Sequence, residues 1–439
     1  GGNNMSGKTV LLMNDIDLSA YANWTPIGRF APPDDMLPFS GVFDGQGYSI
    51  TGLKISGNEE ARGLFGYTHL ATIRNVVIRN PEIQGGDKVG ALVGHQAYSS
   101  EGIENCAVIG GKIQGSNRAG GLVGNMEESP IKNCYTTCEV IATDYHAGGI
   151  VGAHKVGSGL ENCYATGNVS GPNSGGIAGR ARNVERCVAL GQTVTGASSH
   201  RVLSEPNGKL NVYAWSGMKV DGNTVTDGAA NNENGADLVC NGGALSTQFS
   251  EIFANDDAWT YTENGLPILK VVKGEQSSEL PSWMLRDAST IYITTAQQLK
   301  QLADEVNMSG KTVLLMNDID LSGYANWSPI GTLNLNWSDV SRPFSGVFDG
   351  QNHTISNLTC TSATNGYAGL FGNFDGTVQN LILRDAQITS ESNAGAVVTD
   401  NYGGRVLNCA MIGGSVKGRS VAGGVVGYNR GTVENCYAT

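Results

Sequence analysis

The chain has 439 residues, long enough for two or three domains with buried cores. Its 40% apolar content excludes a disordered chain, and its net charge of −12 argues against nucleic acid as a partner. Glycine supplies 62 residues and proline only 12, with no G-X-Y period, so the sequence demands many tight turns and excludes collagen.

The first motif in chain order is a false lead. Gly2 to Thr9 spells the phosphate-binding G-x-x-x-x-G-K-T. That loop needs a strand before it and a helix after it, so that backbone N–H groups face phosphate. Here TVLLMNDIDL follows, which reads as strand and turn. Later, Asp318-x-Asp320-x-Ser322-Gly323 opens like a calcium loop, but Pro329 stands where the bidentate Glu belongs. No Cys-x-x-Cys, Cys/His cluster or H-E-x-x-H is present, so no metal site, cofactor or zinc-protease centre is expected. No run of 18 apolar residues exists to span a membrane.

Tyr21 and Trp24 come next, matched later by Tyr324 and Trp327, with Trp337 in a loop that only the second copy has. These five are the candidate ligand-binding residues, because exposed rings stack on sugars or anchor a protein partner. The competing reading is structural: the same residue in both copies points to a shared packing task beneath a capping helix. The loops 29–37 and 332–342 differ strongly between copies, so copy-specific recognition is expected there. Asp44-Gly45 and Asp349-Gly350 read as turns. The short repeat described next is read as carrying no paired catalytic carboxylates, so no catalytic residue and no enzyme activity are expected.

From residue 63 a short repeat takes over. Its first half is Gly-apolar-apolar-Gly: GLFG (63–66), ALVG (91–94), GLVG (121–124), GIVG (149–152) and GIAG (176–179). Its second half is strand-like: IENCAVIGG (103–111), IKNCYTT (131–137), LENCYATG (160–167). Such runs cannot bury their faces alone, so successive turns of a coil must stack, with glycine at the corners. This predicts an all-β parallel β-helix, a solenoid. Asn in each Asn-Cys step should bond backbone at a corner, and Cys should pack inward as a thiol ladder without disulfides.

The whole plan is written twice. MSGKTVLLMNDIDLSAYANWTPIG (5–28) returns as MSGKTVLLMNDIDLSGYANWSPIG (308–331), and PFSGVFDGQGYSITGL (38–53) as PFSGVFDGQNHTISNL (343–358). Residues 1–194 form the first module. Residues 195–275 are read as its closing segment, with Trp259 and Leu266 covering the last coil. Residues 276–290 are read as a linker. Module two, 291–439, starts with IYITTAQQLKQLADEVN, where Thr295 and Gln298 have capping-box spacing and Leu299 and Leu302 share a face. That helix should lie over the start of the second coil. The chain starts late and stops early relative to its own plan, so it is read as part of something longer, its last module incomplete.

GLFG, GLVG and GIVG, together with TTAQQLKQLADEVN, NDIDLSGYANWSPIG and PFSGVFDGQNHTISNL, resemble the GLUG-motif family of bacterial surface and adhesin-like proteins. The resemblance implies a right-handed parallel β-helix outside the cell or on a bacterial surface. It implies no single activity. The expected function is a secreted, monomeric, non-catalytic adhesin-like protein binding host or environmental glycans or proteins. Two alternatives are the non-catalytic repeat region of an IgA-protease-like metallopeptidase and a polysaccharide-active enzyme on a β-helix.

Overall fold

The computed structural model describes residues 4–30, 36–154, 157, 159–238, 244–262, 265–285, 289–302, 308–331, 343–362 and 366–439. The chain divides into two compact units, residues 1–240 with 244–284, and residues 241–243 with 285–439. Both are parallel β-solenoids, as the repeat period predicts.

One turn of the first unit shows the plan. Val89–Gly90 leads to Val93–Ala97, then Ile103–Glu104, Ala107–Ile109 and Lys112–Gly115. Each run pairs in parallel with the same run one turn on: Val93 with Val123, Ile103 with Ile131, Ala107 with Tyr135, Ile113 with Val140. Inward positions therefore stack like on like. Phe65, Val93, Val123, Val151 and Ala178 form one fully buried column. Cys106, Cys134, Cys163 and Cys187 are buried free thiols on successive turns. Their spacing brings the Cys106 amide to 3.4 Å from the Cys134 sulfur without forming a bridge. Burial pushes the Cys138 thiol up to about 12, so it stays neutral and inert.

The asparagines turn the corner. Asn75, Asn105, Asn133 and Asn162 hold φ between 51° and 58°, a left-handed conformation that Asn tolerates and β-branched residues avoid. Their amides also link turn to turn, Asn105 Nδ2 donating to Asn75 Oδ1 at 3.3 Å. The second unit repeats this ladder, with Asn408 donating to Asn380 at 3.1 Å and Asn435 to Asn408 at 3.2 Å.

One interior residue is costly. His154 sits in register with Met126, 1% exposed, and burial pushes its pKa down to about 4. The unfolded chain protonates this ring below pH 6.5, whereas the native coil resists doing so until about pH 4. Stability should therefore fall as pH drops between those values, by up to about 3 kcal/mol from this ring alone. His154→Met should flatten that part of the curve, which urea titrations of the two proteins at pH 4.5 and 7.5 will read. Equal pH dependence in the two would refute the assignment.

The coil runs past residue 194. Leu203–Trp215 pairs along its length with Ala178–Ala189, and Ala236–Leu238 pairs beyond it. This turn lacks the Gly-apolar-apolar-Gly signature, which is why its sequence reads as a change of pattern. The helix Ala244–Ile252 and the chain to Met284 then form a strap along the flank of the coil. Trp259 does not cover the last coil. It packs on Tyr135 and Tyr164, whose rings stack 5.0 Å apart, and on Phe253. Asp256 accepts hydrogen bonds from Asn133 (3.3 Å) and Asn162 (3.0 Å), so the strap reads the asparagine ladder directly. Lys273 N reaches Gly47 O at 2.8 Å, and Trp283 Nε1 reaches Leu190 O at 3.0 Å. Tyr135 also donates to Gln276 Oε1 at 3.0 Å, and Met284 is buried in the first core. Most of the stretch expected as a linker is thus part of the first unit.

The second unit opens with a strand that the sequence reading did not separate from the helix. Thr290–Ile293 pairs in parallel with Thr312–Leu315, which pairs in turn with Val347–Asp349. The helix Ala296–Gln301 follows, with both hydrogen bonds of the Thr295–Gln298 capping box formed. Leu299 and Leu302 are buried against the coil.

Candidate binding face

Glycine shapes the outer surface of the first unit. A Cβ on Gly124 would lie 2.3 Å from Val89 N, and one on Gly94 2.5 Å from Arg62 N. The strands before and after each Gly-apolar-apolar-Gly run therefore touch backbone to backbone. The two residues within each run turn inward: Leu92 and Val93, like Leu122 and Val123, are fully buried. The corner is re-entrant, folding toward the core. Gly152 and Gly179 repeat the contact against the turns at Arg118–Ala119 and His146–Ala147.

That geometry is written into a recognised repeat. Residues 418–439 match the family model of the GLUG motif. One stretch of 110 residues is 32% identical to halomucin of Haloquadratum walsbyi; it is 23% of this chain and 1% of that relative. A solved structure, described as a proposed immunoglobulin A1 protease from Bacteroides ovatus, matches 61% of this chain and 88% of its own at 24% identity, with a TM-score of 0.49.

A polar seam fills the GLUG corner. The residue three before the four-residue run and the residue just after it face each other across the corner. Arg118 Nη1 donates to Asn125 Oδ1 at 3.3 Å in the first unit, and Asn393 Nδ2 to Asp400 Oδ1 at 3.0 Å in the second. From Arg118 the network runs to Asp87, and from Asn125 to His95 at 2.8 Å. His146 Nε2 lies 3.1 Å from Glu205 Oε1 two turns on. Burial holds the His146 pKa down and the Asp400 pKa up. Sequence reading missed these residues because each, alone, is one more polar residue. The signal is positional: polar side chains seven residues apart, bracketing a GLUG run.

Next to the seam lies an open depression of about 600 Å³. Its wall is a ladder of outward side chains in register: Arg74, Glu104, Lys132, Glu161 and Glu185. Strand spacing puts successive rungs roughly 4.8 Å apart. Several charges are already held. Arg74 Nε lies 2.9 Å from Asp44, Lys132 Nζ 3.5 Å from Asp256, and Arg186 grips Glu161. The exposed Tyr98, packed edge-on against His69, stands on the turn between seam and depression.

The four described members of the predicted aromatic set lie elsewhere. Trp327 is 3% exposed and donates through Nε1 to Leu370 O; Trp24, half-buried, makes the same bond to Leu64 O. Both are wedges between turns. Tyr21 and Tyr324 stand edge-on to them, and Lys300 lies over the Tyr324 ring at 5.2 Å. Tyr21, at 57%, is the exposed one of these four. Trp337 and the loop 332–342 lie outside the described residues.

The calcium-like aspartates are structural. Asp318 accepts from Thr354 N and Asp320 from Ser322 N and Asn357 Nδ2, tying one turn to the next; Asp15 does the same for Ser49. Lys8 and Thr9 of the phosphate-loop match enter a turn and a strand, with no helix after them. Among the described residues, no group of three or more His, Cys, Asp and Glu is placed to hold a metal, and no helix is long and apolar enough to cross a membrane.

Proposed function

We propose that the chain is a non-catalytic, extracellular binding module, adhesin-like, that takes an extended glycan along the charge ladder. The observation that carries this reading is the repetition itself. Arg74, Glu104, Lys132, Glu161 and Glu185 present hydrogen-bonding groups in register on five turns, in an open depression suited to a long, repetitive ligand. Ion pairs with neighbours off the ladder hold Arg74, Lys132 and Glu161 before a ligand arrives, which lowers the ordering cost of binding. The same pairing and the open, wet setting speak against catalysis, which depends on water-excluded electrostatics. The GLUG motif and the stretch alike to halomucin support a location outside the cell.

Glycan-array binding of the purified chain tests this. Binding is expected to some linear glycans, and Arg74→Glu with Lys132→Glu should weaken it about tenfold or more. Tyr21→Ala should leave it unchanged. Hydrolysis of a polysaccharide would replace this reading with the polysaccharide-active enzyme, and binding only to protein ligands would overturn the glycan assignment.

A further inference from the structure

The corner between seam and depression is strained where glycine would relieve it. On three successive turns a left-handed backbone is held by Leu70 (φ 57°), Tyr98 (φ 57°) and Glu128 (φ 47°), each with an exposed side chain. Leu70 N donates to Ala97 O at 3.0 Å and Tyr98 N to Glu127 O at 2.9 Å, so the three stack rung on rung. A positive φ is an outlier for a bulky side chain, whereas glycine takes it freely. The same coil puts Gly102 (φ 64°) and Asn105 (φ 52°) at other corners. Among the described residues, Leu70 and Tyr98 are the two exposed large apolar side chains on such a backbone, at 62% and 47%. Turns of coil lie on both sides of the pair. His69 N donates to Phe39 O on the turn before, at 3.0 Å, and Glu128 follows on the turn after. Strain kept at an exposed place beside a binding depression points to function rather than packing.

We propose, resting on the glycan reading of the charge ladder, that Leu70 and Tyr98 are an apolar platform that selects the sugar: a β-linked pyranose chain whose rings expose C–H faces. Thr72 and Glu101, two and three residues further on, line the depression together with Arg74 and Glu104, so the platform is its rim. An exposed aromatic ring offers a large, stiff apolar face at little ordering cost. His69 supports the Tyr98 ring from the side, with centroids 5.7 Å apart and planes at 61°. In an equatorially linked chain each ring advances by about one strand spacing, so a ring stacked on Tyr98 brings the next over Leu70. The third rung, Glu128, is charged, so the platform is two rings long. The hydroxyls of the same chain then face the ladder at Arg74 and Glu104.

The probes are cellohexaose and chitohexaose, titrated into the full chain by calorimetry. The parent should bind at least one of them, and Leu70→Asn with Tyr98→Asn should weaken that binding about tenfold or more. Asparagine tolerates a positive φ, so the variant should keep or raise the parent's Tm. Affinity lost while stability holds is a split that a merely structural corner does not give. A Tm that falls together with affinity would overturn the proposal. Unchanged affinity would overturn it too, and if Arg74→Glu with Lys132→Glu still weakens binding, the charge ladder survives alone. If neither probe binds while other linear glycans on the array do, the platform is refuted and the ladder again stands. A parent chain that binds no glycan at all removes both.

Discussion

Gly124→Val is expected to cost the first unit about 3 kcal/mol or more, at the severe end of overpacking. The reason lies in the GLUG corner. The new Cβ would stand 2.3 Å from Val89 N and 2.4 Å from Lys88 C, and both belong to backbone locked in a neighbouring turn. No rotamer change relieves a clash with main chain. The seam beside it adds to the loss, because Arg118 and Asn125 bracket this glycine and hold the corner closed. Chemical denaturation of the variant measures the effect. Gly7→Ala is the control: a Cβ there meets nothing within 4 Å, so the variant should lose only what its positive φ imposes. A Gly124→Val chain as stable as the parent would refute the re-entrant corner.

The second large effect is expected from Trp259→Ala, at about 3–5 kcal/mol. Trp259 is 1% exposed, touches three aromatic rings and donates through Nε1 to Asn133 Oδ1 at 3.3 Å. Removing it empties the seat between strap and coil and leaves Asn133 short of a partner. The strap then loses its anchor on the asparagine ladder. Limited proteolysis between residues 253 and 284 should accelerate, while the second unit keeps its thermal transition. If the strap instead covered the last coil, the variant would expose Leu203–Trp215 and leave Tyr135 and Tyr164 unchanged. Tyrosine fluorescence distinguishes the two cases.

Much of this architecture was legible before any coordinates. The spacing of IENCAVIGG, IKNCYTT and LENCYATG sets the turn of the coil, because residues one period apart must stack. The capping box at Thr295 and the Asn-Cys step were legible for the same reason: their physics is local. The strap was not. Trp259 and Asp256 find partners 94 to 126 residues away, and nothing within a short window says which turn they meet. The turn at Leu203–Trp215 was hidden because it closes without glycines at the usual places. The candidate site was hidden differently. Aromatic content drew attention to Trp24 and Trp327, yet a Trp that recurs in both copies is as well explained by filling the same gap twice, and each donates to the equivalent carbonyl of its copy, Leu64 O and Leu370 O. The ladder Arg74–Glu104–Lys132 becomes visible only once register is known.

The strap also decides how the first unit bears load. A bare solenoid is a stack in which each turn holds only its neighbours, so a force on one end can peel it one turn at a time. The strap ties the turn at Gly47 to those at Asn133, Asn162 and Leu190. It acts like a batten fixed along a spring: no single turn can extend without shearing the batten from its other anchor points. The first unit should therefore yield all at once and at higher force than its own turns would separately.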